Sequence, residues 1–252
     1  MGRIQWCDAL LPGEDIPAGE FISEYYDGKI RLEKARALPL IDRQAELPDR
    51  RVYRSMSRAG ILLSLVCLKA REELSGFLRQ DPFRVGIYCA IENGPVDFAS
   101  TKQMVGVPGE AFAETYKKLF NPKMYLRQLP NLAASQMGIF LNILGPLHVF
   151  NNSLYGSLHA LQQAELDLAD DRVNAALICS AFSFENPLIL ERTRRSVLKG
   201  RVLCEGSGAM LLVPGGEENT WHDMDYENTG EYFGISHQII SQIMKRRTQH
   251  DN

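Results

Sequence analysis

The sequence predicts an α/β fold, layered around a substantially parallel sheet, and three observations carry that expectation. Phe83 to Ile91, Asn174 to Ser180 and Gly208 to Pro214 are nearly continuous runs of apolar and β-branched residues, as strands buried on both faces must be. Between them, Arg54 to Glu73 and Tyr155 to Leu168 repeat apolar residues every three or four positions, the period of a helix with one buried stripe. The 252 residues, 45% of them apolar, suffice for a full core. Strands alternating with helices of this length imply crossover connections, and so parallel pairing.

Taken in order, the first fifty residues are irregular. Gly13-Glu-Asp-Ile-Pro17 and Leu47-Pro-Asp-Arg50 punctuate them, which leaves a short strand near Ile4 to Leu10 followed by a surface loop. Helical periodicity then begins at Arg54, with Ile61, Leu62, Leu65, Val66, Leu68 and Ala70 on the apolar side. The Phe83 to Ile91 strand ends at Asn93-Gly-Pro95. A second helix spans Ala111 to Phe120, and Leu129-Pro130 breaks the chain before an apolar helix from Gln136 to Ile143. His148 to Phe150 is a short strand, and the helix from Tyr155 follows, with Leu158, Leu161, Ala164 and Leu168 on one face. Beyond Pro214 comes a tail, then a helix over Tyr232 to Met244 with Phe233, Ile235, Ile239, Ile240 and Ile243 at helical spacing and a basic end, Lys245-Arg-Arg247. The chain reads as one domain over residues 1–252, with 1–50 irregular and 215–252 a tail and helix.

Bulk chemistry narrows the function. The 31 acidic and 28 basic residues leave a net charge of −3, which excludes a bulk attraction to nucleic acid or an anionic membrane. The five cysteines stand singly, with no CxxC or HxxxH spacing, so they read as reduced thiols and no metal site is expected. Gly215-Gly-Glu-Glu is a turn and not a phosphate loop, and no cofactor signature is present. Met1-Gly-Arg-Ile-Gln-Trp lacks the apolar run of a signal peptide, and Ile61 to Leu68 is too short to span a bilayer, so a cytoplasmic location is the default expectation.

Several segments carry a family resemblance. Gly145-Pro-Leu-His-Val-Phe-Asn-Asn-Ser-Leu154-Tyr-Gly-Ser-Leu-His-Ala-Leu161 resembles the nucleophile strand, turn and helix of β-ketoacyl synthases. Arg84-Val-Gly-Ile-Tyr resembles the strand before that family's first central loop. Leu129-Pro-Asn-Leu-Ala-Ala resembles its Pro-Asn-Met-Ala-Ala element, and Asp170-Asp-Arg-Val-Asn-Ala-Ala-Leu-Ile-Cys-Ser its following strand. Cys204-Glu-Gly-Ser-Gly-Ala-Met-Leu-Leu resembles the Gly-Glu-Gly-Ala-Gly-Val-Leu-Val-Leu element that closes the amino-terminal half. The matches keep order and spacing over roughly residues 50–214, which implies a layered thiolase-like α/β/α fold truncated to about the amino-terminal half of a ketosynthase. Two departures are equally informative. Counted from Gly145 and Pro146, the position of the family's nucleophilic Cys is Leu154, which cannot hold an acyl group. The half of the family that carries its active-site His residues and Lys has no counterpart here.

The family's nucleophile-less relatives are chain-length factors, which pair with a catalytic ketosynthase, and short forms resemble those of aryl-polyene and aromatic polyketide pathways. The resemblance therefore implies a catalytically inactive subunit whose partner is a catalytic β-ketoacyl synthase, in a heterodimer or a larger assembly, with acyl carrier protein met through that partner. Val96-Asp-Phe-Ala-Ser-Thr-Lys-Gln103 resembles the helix that gates the acyl tunnel. Val96, Phe98, Ala99 and Gln103, with Asn152, Ser153, Leu154 and Tyr155, are the tunnel and interface candidates. Other readings stay open. Ser153, Ser157 or Cys179 could act as the nucleophile of an independent acyltransferase or thioesterase with His159 nearby, although Ser157 and His159 lie on different faces of a helix and no Gly-x-Ser-x-Gly elbow occurs. A homodimeric scaffold is a third. Glu165, Asp167, Asp170 and Asp171 read as the solvated end of a helix.

Overall fold

The computed structural model describes residues 2–25, 28–39, 47–49, 52–152, 154–196, 198, 200–215 and 230–250. Along the chain, β1 (Gly2–Leu10) is followed by a hairpin of β2 (Gly19–Tyr25) and β3 (Gly28–Arg36), where the sequence reading expected only a loop. The signal is present in Lys29-Ile-Arg-Leu-Glu33: Ile30 and Leu32 are buried and their neighbours exposed, the period of a strand with one covered face. Next come α1 (Arg58–Cys67), capped by the Ser57 hydroxyl accepting from Gly60 N, and α2 (Arg71–Gln80). The expected strand starts two residues late, at β4 (Val85–Ile91), because Asp81 caps a 3₁₀ turn over Pro82–Arg84.

Four helices follow: α3 (Phe98–Met104), α4 (Gly109–Leu119), α5 (Pro122–Gln128) and α6 (Pro130–Leu141). The last begins with its proline in the first turn and stops at Asn142 in the left-handed conformation, φ 58°. β5 (Leu147–Phe150), α7 (Gly156–Ala169), β6 (Ala175–Phe182) and α8 (Pro187–Ser196) complete two crossovers. β7 (Val202–Cys204), β8 (Gly206–Pro214), β9 (Glu231–Tyr232) and α9 (His237–His250) close the chain.

The main sheet runs β1-β8-β6-β4-β5, with β6, β4 and β5 parallel and β8 antiparallel to both of its neighbours. A smaller sheet orders β2-β3-β7-β9. Side chains of the main sheet alternate between two cores. Val85, Ile87 and Cys89 join Leu177, Leu211 and the apolar sides of α1 and α6, whereas Tyr88 and Ala90 join Ile178, Met210, Leu212, α7 and α9. Both faces are therefore covered by helices, the predicted α/β/α arrangement. The Gly145-Pro146 pair is placed by sterics: a Cβ at Gly145 would lie 2.3 Å from the Val85 carbonyl oxygen, so only glycine lets the chain turn into β5 there.

The carboxy-terminal helix begins five residues later than its periodicity suggested, after β9 and a 3₁₀ turn over Gly234–Ser236. It covers β8 as its amphipathic pattern implied: Ile239, Ile240 and Ile243 are buried, and Gly206 and Gly208 leave room for them. Its basic end is engaged with β1, Arg246 donating to the Ile4 carbonyl at 3.0 Å and Arg247 pairing with Asp8. Residues 216–229, including His222, lie outside the described residues, as do 251 and 252.

Candidate functional site

Parallel strands leave their carboxy-terminal ends on one side of a sheet, and in open α/β folds ligands bind in the crevice there. Here β4 ends in Glu92-Asn93-Gly94, β5 in Asn151-Asn152 and β6 leads to Asn186. All of these but Asn152, together with Gln128 and Arg192, line a polar cleft of about 260 Å³. Glu92 is buried and ion-paired to Arg192 at 2.5 Å. The Asn186 amide donates to Gly94 O at 2.8 Å and Asn93 O at 3.2 Å, while its oxygen accepts from Leu188 N and starts α8. Gly94 N donates to Gln128 O, and a Cβ on Gly94 would sit 1.8 Å from Arg127 O, so the loop after β4 closes tightly on the end of α5.

An ion pair at the motif Cys204-Glu-Gly-Ser-Gly208 ties the surrounding elements together. Both Glu205 oxygens accept from Arg58, at 2.8 and 2.7 Å, and they also accept from Leu38 N and Phe184 N. Its neighbour Glu185 accepts from Arg58 N at 2.5 Å and pairs with Arg127. One cluster thus fixes α1, the end of β6 and the start of β8 to the helix that bounds the cleft.

Leu154 stands between the end of β5 and the first turn of α7, and it is 44% exposed. Asn152 Oδ1 accepts from the N–H groups of Leu154 (3.0 Å) and Tyr155 (3.2 Å), and Gln238 donates to the Leu154 carbonyl at 3.0 Å. A thiolate placed here would enjoy the positive end of the helix. The leucine offers only an apolar surface, and Asn152 takes up the free N–H groups instead. Tyr155 is exposed, and Ser153 lies outside the described residues. The remaining nucleophile candidates are not brought to a reactive arrangement. Ser157 is buried and donates to Ile235 O, while His159 is exposed beside Phe150 and Tyr155. Cys179 is fully buried between Cys67 and Cys89, whose thiols are held well above their ordinary pKa by hydrogen bonding to Cys179 and then by burial.

One expectation is corrected outright. Asp170 and Asp171 are solvated, but Asp167 is only 2% exposed. It accepts from Tyr88 OH at 2.8 Å and from Gln163 and Arg172, and His148 of β5 lies 3.5 Å away. Burial, then the Asp167 carboxylate, pushes the Tyr88 phenol well above its ordinary value. The helix period places Asp167 one residue before Leu168 on the inner face, so its burial required only that a phenol wait opposite.

A second cavity, about 330 Å³, opens between α3, α4 and α5, and Val96 and Gln128 line both it and the polar cleft. Of the four tunnel candidates between Val96 and Gln103, Val96 lines this cavity. Phe98 instead packs half-buried with its ring 6.1 Å from that of Tyr25, and Ala99 and Gln103 face outward, Gln103 donating to Ala99 O. Sequence reasoning missed Met104, Phe112, Tyr116, Phe120 and Tyr125, which also line it. Phe112, Tyr116 and Phe120 recur every four residues, a legible signal within the helix expected over Ala111 to Phe120.

Among the described residues, β5 stands at the edge of the main sheet and pairs with β4 alone. Phe83, Ile139, Leu144 and Leu147 are exposed beside it. Hydrogen bonds from Leu144 N to Pro82 O and from Ile143 N to Gly138 O draw the first three together. Among the described residues no group of His, Cys, Asp or Glu is placed to hold a metal ion, and no helix is long and apolar enough to cross a membrane.

No protein-family model matches this chain, and no curated protein does. Solved structures do. A β-ketoacyl synthase from Burkholderia phymatum STM815 aligns over 85% of this chain and 60% of its own length, at 16% identity and a TM-score of 0.57. A ketosynthase (ApeO) in complex with its chain length factor (ApeC), from Xenorhabdus doucetiae, aligns over 86% and 58%, at 13% identity and a TM-score of 0.57. The ishigamide ketosynthase/chain length factor aligns over 73% and 51%, at 17% identity and a TM-score of 0.52. The chain spans about half to three-fifths of the length of these structures, and it has their thiolase-like ketosynthase fold.

Proposed function

We propose that this chain is a non-catalytic, chain-length-factor-like partner of a β-ketoacyl synthase, serving polyketide or aryl-polyene chain elongation on acyl carrier protein. The observation that carries the reading is Leu154 just ahead of α7, following a strand that among the described residues forms an apolar sheet edge. Condensation needs a thiolate to hold the acyl chain and polarising groups for the oxyanion. A leucine at that position leaves this chemistry to the partner's residues. The N–H and C=O groups that β5 leaves unpaired among the described residues are a liability in water and a template for a second strand. A partner that paired there would also cover Leu144 and Leu147, with the face around Asn152, Leu154 and Tyr155 turned toward its active site. Val96, Phe98, Ala99 and Gln103 would then bound the acyl path, and carrier protein would dock on the catalytic subunit. Support comes from the motif order in the sequence and from a fold shared with ketosynthase–chain length factor assemblies.

The test is co-expression with the cognate ketosynthase, gel filtration, and malonyl-elongation assays with and without this chain. A stoichiometric complex whose activity or product length depends on this subunit supports the proposal. A chain that forms only homodimers, or stays monomeric and leaves the ketosynthase unaffected, overturns it.

A further inference from the structure

Three of the five cysteines converge in the core. Cys89 of β4 and Cys179 of β6 stand opposite each other in the parallel ladder, and Cys67 is the last residue of α1, which packs on the same face of the sheet. All three are 0% exposed. Cys179 is hydrogen-bonded to both of the others, to Cys67 most strongly and then to Cys89. Those two bonds outweigh burial and hold the Cys179 thiol below its ordinary pKa, whereas Cys67 and Cys89 are held above theirs. Cys204, in a separate small cluster of the core, shows what burial does to a thiol without such neighbours: desolvation pushes it up to about 12. The trio therefore differs from an ordinary buried cysteine, because one sulfur is the preferred thiolate and two thiols lie beside it.

Such a group offers the chemistry of sulfur itself. Among the described residues no His, Cys, Asp or Glu group is placed to hold a metal ion, the trio included. Two neighbouring thiols can instead give up two electrons and two protons and join as a disulfide. The fold decides which two. Strands β4 and β6 are inner strands, each hydrogen-bonded on both sides, so the Cys89–Cys179 rung has no freedom to draw its sulfurs together. Cys67 ends a helix that passes directly into a 3₁₀ turn over Leu68–Ala70, and a helix end has the slack that a ladder lacks. Cys67 is also the stronger partner of Cys179.

We propose that this trio is an oxidation site, at which a small peroxide joins Cys67 to Cys179 in a reversible disulfide while Cys89 stays a thiol. The Cys179 thiolate attacks one peroxide oxygen, the O–O bond breaks, and a sulfenic acid and hydroxide form. The Cys67 sulfur then displaces hydroxide from the sulfenic sulfur, and its proton leaves with that hydroxide as water. Two thiols and one hydrogen peroxide thus give one disulfide and two waters, sulfur being oxidised and peroxide oxygen reduced. Hydrogen peroxide is neutral and little larger than water, so it enters through local openings that exclude an alkylating reagent. The inference does not depend on the partner reading.

The test treats the full chain, or its ketosynthase complex if only that can be purified, with hydrogen peroxide, then denatures it in iodoacetamide and digests it with trypsin. Lys69, Arg84, Lys102 and Arg172 put the three cysteines on separate peptides. Peroxide is raised until the half-buried Cys7 is oxidised, so that an unreacted trio is itself a result. The expected outcome is joint loss of the Cys67 and Cys179 alkylation sites, a linked peptide pair joining them, an alkylated Cys89, and full reversal by dithiothreitol. The bridge should persist in Cys89→Ala and vanish in Cys67→Ala and Cys179→Ala, with the map of the unsubstituted chain deciding if a variant fails to fold. Oxidation of Cys7 that leaves Cys67 and Cys179 alkylatable overturns the inference, as does a bridge to Cys89 or one that excludes Cys179.

Discussion

Replacing Glu205 by Gln tests whether the buried pair with Arg58 holds α1 to the start of β8 and the end of β6. Glu205 is 1% exposed and Arg58 15%, and the carboxylate accepts four hydrogen bonds, two at each oxygen. Glutamine can present only one oxygen. Whichever way its amide turns, the NH₂ group faces two donors, either Leu38 N with Arg58 Nη2 or Phe184 N with Arg58 Nε. Two bonds are lost and the guanidinium keeps its charge without a counter-ion. Removing one partner of a buried pair costs about 3–5 kcal/mol, and the residual exposure of Arg58 places Glu205→Gln near the lower figure. With a urea m-value of ~3 kcal/mol/M, the midpoint should fall by about 1 M. Combining it with Arg58→Met should restore part of the loss, because the double variant no longer buries an unpaired charge. A loss below about 1 kcal/mol, or strict additivity of the two substitutions, would refute the reasoning.

Three further outcomes are expected. Leu144→Lys with Leu147→Lys should abolish co-elution with the ketosynthase while shifting stability by no more than ~0.5 kcal/mol, since both side chains are exposed; co-elution that survives would disprove a role for the β5 edge. Leu154→Cys should yield a thiol that iodoacetamide labels far faster than the buried Cys67, Cys89, Cys179 and Cys204, read by intact mass, without conferring condensation on the isolated chain. Slow labelling would show that the first turn of α7 is covered. At Asp8, burial opposes ionisation, but hydrogen bonds from Lys69 and the Ala9 amide, together with Arg247, outweigh it and lower the carboxyl pKa below its usual 3.8. A lowered folded-state pKa stabilises above the unfolded value and is lost as pH falls through the folded one. Asp8→Asn should therefore cost about 0.5–1 kcal/mol at pH 7 and nearly nothing near pH 2, by urea midpoints; an equal cost at both would contradict the assignment.

Leu154 shows how much of the site could be read directly. Its place after a Gly-Pro strand is a matter of counting residues, and its inability to carry an acyl group is a matter of atoms. The strands β4, β6 and β8 were legible because both of their faces are buried, which forces unbroken apolarity. The β2–β3 hairpin was harder to see, since only Ile30, Leu32 and Ala35 of β3 are covered and the charges between them resemble a loop. Asp167 was misplaced for a related reason. A carboxylate on a helix looks solvated until a buried partner such as Tyr88, seventy-nine residues away, is known to face it.

The sequence alone determined the alternation of elements, the fold class and the absence of a nucleophile at Leu154, because periodicity and side-chain chemistry are local properties. Only the tertiary structure decided which residues meet. It put Phe112, Tyr116, Phe120 and Tyr125 along one cavity, left β5 at the edge of its sheet among the described residues, and set Phe98 against Tyr25 and not into the cavity. Those outcomes depend on how helices far apart in the chain pack against one sheet, and no short-range pattern encodes that packing.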